Sequence, residues 1–304
     1  MERKTILFIY NPMAGKEIMR NKLSVAVEQF MEDDYAVTIY ATRKSGDATV
    51  LVEELSEKFD RIVCAGGDGT LHEVMGGLMS ISPEKRRPCG YIPTGTVNDF
   101  ARSMHIPKDV KKAAMIAARG NLLPYDIGCM NGRYFNYIAA FGAFTSVAYQ
   151  TPHTTKNILG KGAYFLQGLM ELPTIHGYKM VIEYDEGVLS GDFIYGMITN
   201  AKSVGGFSVF KKTPLSLNDG LFEGVFVKNP KNPLELNAVV TAFMGGNANA
   251  QIMTVRSSHF EIQVEEEASF TLDGEDGGKC SHVIIDNCNK AVTYLKKERK
   301  PTGV

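Results

Sequence analysis

The sequence predicts an α/β plus β protein built from two domains. In the first 126 residues, short apolar runs alternate with patterns of helical period, which indicates a parallel sheet covered on both faces. Beyond that point, segments of alternating polarity end at hairpin signals such as Asn131-Gly132, which is typical of antiparallel strands. We therefore expect domains over residues 1–126 and 127–288, with residues 289–304 returning to the first domain.

In the first domain, each predicted strand ends in a loop or at a residue with a polar or small side chain. The strands are predicted at Thr5–Tyr10, Tyr35–Ala41, Arg61–Ala65 and Gly90–Pro93. A helix follows the first loop, because Met19, Leu23 and Val27 recur at helical spacing. Further helices are predicted over Gly46–Phe59, Leu71–Met79, Asn98–Met104 and Lys108–Ala118.

The second domain is predicted to be mostly strands. These are Ile127–Met130, Tyr134–Phe141, Tyr178–Tyr184, Phe193–Thr199, Leu221–Val227, His259–Val264 and Ser269–Leu272. Two helices interrupt them, near Tyr164–Leu172 and Pro233–Met244. The last apolar segment, Ala291–Lys297, is the part expected to rejoin the first domain.

Composition excludes several classes of protein. The net charge of -1 gives no electrostatic reason to expect a nucleic-acid partner. The five cysteines include no CxxC pair, which disfavours a disulfide framework or a zinc site and fits a reducing compartment. We find no signal-peptide pattern and no apolar run of the roughly 20 residues that would span a bilayer. The expectation is a cytoplasmic protein that would meet any lipid reversibly at the membrane surface.

The loop Gly66-Gly67-Asp68-Gly69-Thr70 carries the strongest chemical signal. It lies between an apolar strand and a helix, where ligands bind in open α/β sheets. Glycines allow a phosphate to approach the backbone, and a helix N-terminus supplies free N–H groups. Asp68 would then hold a magnesium ion, since a bare carboxylate repels phosphate. The alternative is a plain turn in which Asp68 caps the helix at Leu71.

Three further strand ends repeat this composition. The segment Pro93–Phe100 offers Thr96 and Asn98 to phosphate or ribose oxygens and Asp99 to a metal, although a simple helix cap explains it equally well. The loop Asn11–Lys16 offers backbone N–H groups and one positive charge. Thr42 ends the second strand. Four such ends in a row favour a nucleotide site more than any one of them does.

The second half carries carboxylates that turns alone could explain. Asp273-Gly274-Glu275 follows a predicted strand, and an Asp-Gly turn there requires no function. Asp126 is either a functional carboxylate or a turn residue at the domain junction. The segment Pro214–Leu221 has one carboxylate, Asp219, with several carbonyls, and so either binds a hard cation or forms a turn.

Taken in order, GGDGT, PTGTVNDFA, YDIG, PLSLNDGLFE and LDGED resemble the bacterial diacylglycerol kinase-type lipid kinases, relatives of the sphingosine and ceramide kinases. GGDGT alone also occurs in NAD kinases and phosphofructokinases, whereas its combination with GTVNDFA is far more specific. The resemblance covers essentially the whole chain. It implies a Rossmann-like nucleotide-binding domain and a second, antiparallel β-sandwich-like domain that takes the lipid.

The resemblance also implies roles for individual residues. ATP would contact Asn11, Thr42, Gly66, Gly67, Asp68, Gly69, Thr70 and Thr96, with Lys16, Asn98 and Asp99 nearby. Asp68, Asp99 and Asp126 would organise the catalytic Mg²⁺, and Ser216, Asp219 and Leu221 a structural Mg²⁺. Glu275 would be the catalytic base, with Asp273 its rival. Lys16, Arg20 and Lys161 would contact phosphates or the lipid head group. The chain departs from the family pattern at Ala14, at Glu223 and after Glu275.

The implied reaction is transfer of the γ-phosphoryl group of MgATP to a lipid hydroxyl, with diacylglycerol as the expected substrate and phosphatidic acid as the product. A sphingoid or polyprenol kinase, an NAD-kinase-like enzyme and a degenerate lipid- or nucleotide-binding regulator remain alternatives. Expected partners are ATP and a membrane-surface lipid, with no nucleic acid; a homodimer is left open.

Overall fold

The computed structural model describes residues 3–142, 176–201, 216–243 and 250–297. The chain divides into two compact units. The first contains Met1–Ile127 and Asn289–Val304, and the second contains Gly128–Cys288. The mixed α/β class predicted from the sequence is confirmed.

Parallel strands form the sheet of the first unit. They are β1 (Lys4–Tyr10), β2 (Tyr35–Ala41), β3 (Arg61–Gly66) and β4 (Cys89–Pro93). Their order is β2-β1-β3-β4, and every pair is parallel. Tyr294, near the chain's end, pairs in parallel with Cys89, so the C-terminal segment does join this sheet. Side chains Ile6 to Ile9 are fully buried, as expected for a strand covered on both faces.

Helices follow the strands of this unit. They are α1 (Ile18–Glu32), α2 (Asp47–Leu55), α3 (Asp68–Met79), α4 (Asp99–Ser103) and α5 (Val110–Arg119). The start of α5 has a side-chain cap, because the Asp109 carboxylate accepts the Lys112 N–H at 2.9 Å. The rings of Phe100, Tyr125 and Tyr294 pack on one another with centroids 4.8 to 5.5 Å apart. Helix α4 is thereby anchored through Phe100.

Antiparallel strands dominate the second unit. The elements from here to the end of the chain are β5 (Asn121–Met130), β6 (Arg133–Phe135), β7 (Ile138–Gly142), β8 (Tyr178–Tyr184), β9 (Gly187–Thr199), β10 (Phe222–Lys228), α6 (Pro233–Phe243), β11 (Ile252–Ser257), β12 (His259–Leu272) and β13 (Glu275–Lys296). The core of this unit combines aliphatic side chains with phenylalanines, which include Phe135, Phe193, Phe226 and Phe260. The last residues of β13, from Asn289, belong to the first unit.

Three sequence predictions need correction. Asp126 lies beside the boundary between the two units, as expected, but inside β5, so the alternative that made it a turn residue is wrong. The two strands predicted over His259–Leu272 are one strand, β12, with irregular pairing to β13 between Gln263 and Ala268. Strand β11 and most of β13 were not expected. The helix predicted near Tyr164–Leu172 lies outside the described residues.

Within the described ranges, no helix is both long enough and apolar enough to cross a membrane.

Candidate functional site

Loops from three neighbouring strands of the first unit meet at their carboxyl ends. A Cβ on Gly15, whose φ is 56°, would overlap the carbonyl oxygen of Thr94. A Cβ on Gly95 would lie 2.5 Å from the Cα of Gly67. Glycine is therefore required where the loop after β1 and the loop after β3 each touch the loop after β4. The structure thus brings together three of the four strand ends that the sequence marked.

The hydroxyl of Tyr91 forms hydrogen bonds with two of these loops. It lies 3.1 Å from the carbonyl oxygen of Gly66 and 3.4 Å from Oδ1 of Asn98. Burial raises the pKa of Tyr91 well above its usual value, so the hydroxyl remains a donor. Nδ2 of Asn98 donates to the carbonyl of Gly95 at 2.6 Å. Asn98 is thereby used to shape its own loop, and Tyr91 is a site residue that the sequence did not reveal.

Asp68 links two helices of this site. It is the first residue of α3, whose N-terminus has no side-chain cap. Its carboxylate accepts the backbone N–H groups of Asp99 at 3.1 Å and Phe100 at 3.3 Å, at the start of α4. The idea that Asp68 caps the helix at Leu71 is therefore wrong, because Asp68 caps α4 instead. The uncapped start of α3 remains suited to an anion.

The remaining predicted ATP contacts surround these loops. Nδ2 of Asn11 lies 3.4 Å from Oγ1 of Thr70, and Oδ1 of Asn11 accepts the Met13 N–H at 2.9 Å. Thr42 extends the β1–β2 ladder by donating its N–H to Tyr10 at 2.9 Å. Lys16 and Thr96 are exposed, whereas Gly69 is partly exposed. Glycine backbone, an uncapped helix start and a nearby ammonium group together fit a phosphate chain.

The other two carboxylates of the predicted magnesium network already have protein partners. Asp99 pairs with Arg102 at 2.8 Å. Asp126, fully buried, accepts the Lys290 N–H at 2.6 Å and Nδ2 of Asn289 at 3.0 Å. Among the residues the structure describes, no three His, Cys, Asp or Glu side chains assemble a metal site. These carboxylates therefore suit Mg²⁺ only if phosphate oxygens and water supply most of its ligands, which is the usual arrangement for this ion.

The predicted structural-metal segment lies in the second unit, beside an arginine. Arg256 pairs with Asp219 at 2.7 Å and with Oε1 of Glu223 at 3.2 Å. Asp219 also accepts the Leu221 N–H at 3.2 Å, and the Ser216 hydroxyl donates to Asn218. The guanidinium neutralises part of the charge, so Arg256 belongs to this cluster although no sequence motif pointed to it.

Glu223 is the anomalous member of the cluster. Only 2% of its side chain is exposed, and burial raises its pKa to about 7 even though the charge of Arg256 lowers it. Its second oxygen, Oε2, has no hydrogen-bond partner within the described part of the chain. The nearby Asp219 carboxylate also raises this pKa. The cluster thus places two carboxylates beside one guanidinium, and within the described residues one carboxylate oxygen has no hydrogen-bond partner.

The rival carboxylates at the β12–β13 turn occupy different environments. Asp273 is 4% exposed, and its carboxylate accepts hydrogen bonds from Asn136, Tyr137 and Ile138. Glu275 is exposed, and no side-chain hydrogen bond or ion pair to it occurs in the described residues. Only Glu275 is therefore accessible to a substrate proton.

Two of the three predicted basic contacts, Lys16 and Arg20, lie at the start of α1 or just before it. Lys16 and Glu17 both have positive φ, at 63° and 62°, and lead into α1. Arg20 pairs with Glu17 at 3.0 Å on the exposed surface. Lys161 lies outside the described residues.

Known proteins similar to this chain share one description. Residues 5–130 match the family model of the diacylglycerol kinase catalytic domain. The chain is 38% identical to a diacylglycerol kinase of Bacillus subtilis (strain 168), over 97% of this chain and 98% of the relative. It is 37% identical to a diacylglycerol kinase of Staphylococcus aureus (strain Newman), over 91% of this chain and 88% of that one.

A solved structure shows the same likeness. A crystal structure of a provisionally named diacylglycerol kinase from Bacillus anthracis str. Sterne superposes with a TM-score of 0.83 at 26% identity, covering 100% of this chain and 98% of that one. The similarity extends over nearly the full length of both chains, and the motifs of this chain occur in the expected order. It is therefore not limited to one shared fragment. The chain belongs to the diacylglycerol kinase catalytic-domain family.

Proposed function

We propose that this protein is an ATP-dependent lipid kinase that transfers the γ-phosphoryl group of ATP to the free hydroxyl of diacylglycerol, giving phosphatidic acid. The observation that carries this proposal is the contact of the Gly15, Gly66-Gly67 and Gly95 loops at the start of an uncapped helix. Relatives that share 37–38% identity over most of the chain are named diacylglycerol kinase. We assign the first unit as a Rossmann-like nucleotide domain and the second as a β-sandwich-like lipid domain.

The glycine loops would hold the phosphates of ATP. The start of α3 has no side-chain cap, and the helix dipole favours negative charge there. Tyr91 and Asn98 fix the shape of the loops before the nucleotide arrives. The proposed contacts are Asn11, Lys16, Thr42, Gly66, Gly67, Asp68, Gly69, Thr70, Thr96, Asn98 and Asp99.

Mg²⁺, when bound, would neutralise charge that develops on the transferred phosphoryl group. Asp68, Asp99 and Asp126 would hold it, mainly through water and phosphate oxygens, since their carboxylates also bind protein groups. Asp219, with the carbonyls of Ser216 and Leu221, would hold a second, structural ion. The two carboxylates that share the Arg256 guanidinium, one of them with an oxygen that has no hydrogen-bond partner in the described residues, support that assignment.

Glu275 would accept the proton of the lipid hydroxyl. A general base helps an alcohol act as a nucleophile as phosphoryl transfer proceeds. The exposure of Glu275 and the enclosure of Asp273 support this choice between the two. The lipid would be met at a membrane surface, with Lys16, Arg20 and Lys161 facing anionic head groups.

A substrate panel tests the proposal. The full chain is incubated with Mg²⁺, radiolabelled ATP and mixed micelles that contain diacylglycerol, sphingosine, ceramide or a polyprenol, with NAD in a separate reaction. We expect labelled phosphatidic acid to form fastest. Preferential labelling of another lipid would reassign the substrate, and preferential labelling of NAD would reassign the family member. Absence of any labelled product, with ATP still bound, would favour a regulator.

A further inference from the structure

The turn before Glu275 has a backbone geometry that few residues adopt. Leu272 pairs with Glu275 across a two-residue loop, Asp273-Gly274. Both loop residues have positive φ, 53° at Asp273 and 91° at Gly274, which is the pattern of a type I′ hairpin turn. Asp is one of the few residues that tolerate the first of these positions. Glu275 therefore begins β13 at a place set by Asp273.

The side chain of Asp273 also binds a different part of the second unit. Its carboxylate accepts three consecutive backbone N–H groups, from Asn136 at 2.6 Å, Tyr137 at 2.9 Å and Ile138 at 3.2 Å. Nδ2 of Asn136 adds a fourth donor at 3.3 Å. Asp and Glu alone carry carboxylates that accept without donating, and Asp is the shorter of the two.

Main-chain contacts complete the attachment. The N–H of Asp273 donates to the carbonyl of Ile138 at 2.8 Å. The Tyr137 carbonyl is itself held by Oγ1 of Thr199 at 2.6 Å and by the Asn200 N–H at 3.0 Å. The turn is thus fixed to the link between β6 and β7, and that link is fixed to the end of β9.

Glu275 has no comparable support of its own. Within the described ranges no side chain donates to its carboxylate or pairs with it. The direction of an unsupported side chain depends on the backbone that carries it. We infer that Asp273 is a positioning residue, which holds the turn so that Glu275 stands ready to accept the substrate proton. This inference rests on the proposed function, in which Glu275 is the base.

A mutant cycle tests the inference by comparing Asp273→Asn, Glu275→Gln and the double variant. Asn keeps the size of Asp but replaces one acceptor oxygen with an NH₂ group that faces donors. We expect Asp273→Asn to lower kcat by up to about 10²-fold, as small misplacements of catalytic groups do, without changing the KM for ATP. The double variant should be no slower than Glu275→Gln, because both changes act through one group.

A matched control separates positioning from general damage. Asn131 begins a second turn of this type among the described residues of the unit, with φ of 47°, and its side chain binds His282 and Ile284 in β13. Asn131→Ala should lower the melting temperature but leave kcat unchanged. Should Asp273→Asn fail to fold, Asn136→Ala removes a single donor and should lower kcat a few-fold.

The outcomes distinguish the two levels of the proposal. Normal kcat in folded Asp273→Asn, with Glu275→Gln inactive, would overturn the positioning role alone. Multiplicative losses in the double variant would also overturn it. Normal turnover in Glu275→Gln would remove the base, and with it both that part of the proposed function and this inference. No turnover on any lipid by the wild type would refute the proposed function itself.

Discussion

At the scale of single residues, Asp68 has two tasks that its sequence position does not show. It begins α3, where a phosphate would bind, and its carboxylate caps α4 through the N–H groups of Asp99 and Phe100. The two helices that frame the glycine loops are therefore joined through one carboxylate. Ligation of Mg²⁺ would use the remaining lone pairs of the same oxygens.

Asp68→Asn should remove phosphoryl transfer and largely preserve the fold. The amide oxygen can still accept an N–H of α4, so the lost charge at that helix start should cost only about 0.3–1 kcal/mol. Without the carboxylate the metal is poorly held, and kcat should fall by about 10²-fold or more. Steady-state turnover and thermal unfolding measure the two effects.

Asp47→Asn is the matched control for this prediction. Asp47 lies in the first turn of the neighbouring helix α2 and accepts the N–H groups of Arg43 at 2.8 Å and Lys44 at 3.3 Å. It should show a similar loss of stability with turnover intact. Near-normal turnover in Asp68→Asn would mean that the helix-cap task is its only one.

At the scale of elements, the glycine loops depend on the absence of side chains. Gly15→Ala should raise the KM for ATP by about tenfold or more, because the new methyl overlaps the Thr94 carbonyl and forces the β1 and β4 loops apart. Gly46→Ala is the control, since Gly46 also has a positive φ, of 86°, but no atom lies within 4 Å of its Cβ position. It should lose stability by about 1 kcal/mol with an unchanged KM. Equal KM values for ATP in the two variants would contradict the proposed role of the glycine loops in holding the phosphates.

Local patterns predicted those elements whose cause is local. Strand β2 and strand β8 match their predicted bounds, and the Asn131-Gly132 signal does mark a hairpin. Strand β11 was missed because it is stabilised by pairing with β10, and no local sequence pattern encodes that pairing. The sequence left Asp126 open between a functional carboxylate and a turn residue, because its burial in β5 depends on partners more than 160 residues away.

The same distinction holds for the candidate site. The loops after β1, β3 and β4 can be recognised in the sequence by their glycines. Their contact with one another follows from the order of the parallel strands. Tyr91 and Arg256 gave no signal, because each acts through a contact made only in the folded chain. The choice between Asp273 and Glu275 likewise depended on burial. The sequence does not show which of two carboxylates two positions apart is buried.

At the scale of the whole molecule, one Mg²⁺ ion is proposed for each unit. The effects of the two ions can be distinguished by an experiment without ATP. Without nucleotide phosphates, the carboxylates near the glycine loops offer few free ligands, whereas the Asp219 cluster has two carboxylates that share one guanidinium. Any stabilisation by Mg²⁺ alone should therefore come from the second unit.

We expect Mg²⁺ without ATP to raise the melting temperature of the wild-type protein more than that of Asp219→Ala. An ion that binds only the folded state stabilises it by mass action, by about 2.7 kcal/mol at a hundred times its Kd. Asp185→Ala is the control, because Asp185 is a turn carboxylate of the same unit that instead binds Ser258 at 2.7 and 2.9 Å. Its shift with Mg²⁺ should equal that of the wild type. Equal shifts in all three proteins would show that Asp219 binds only protein groups, Arg256 and the Leu221 N–H, and holds no ion.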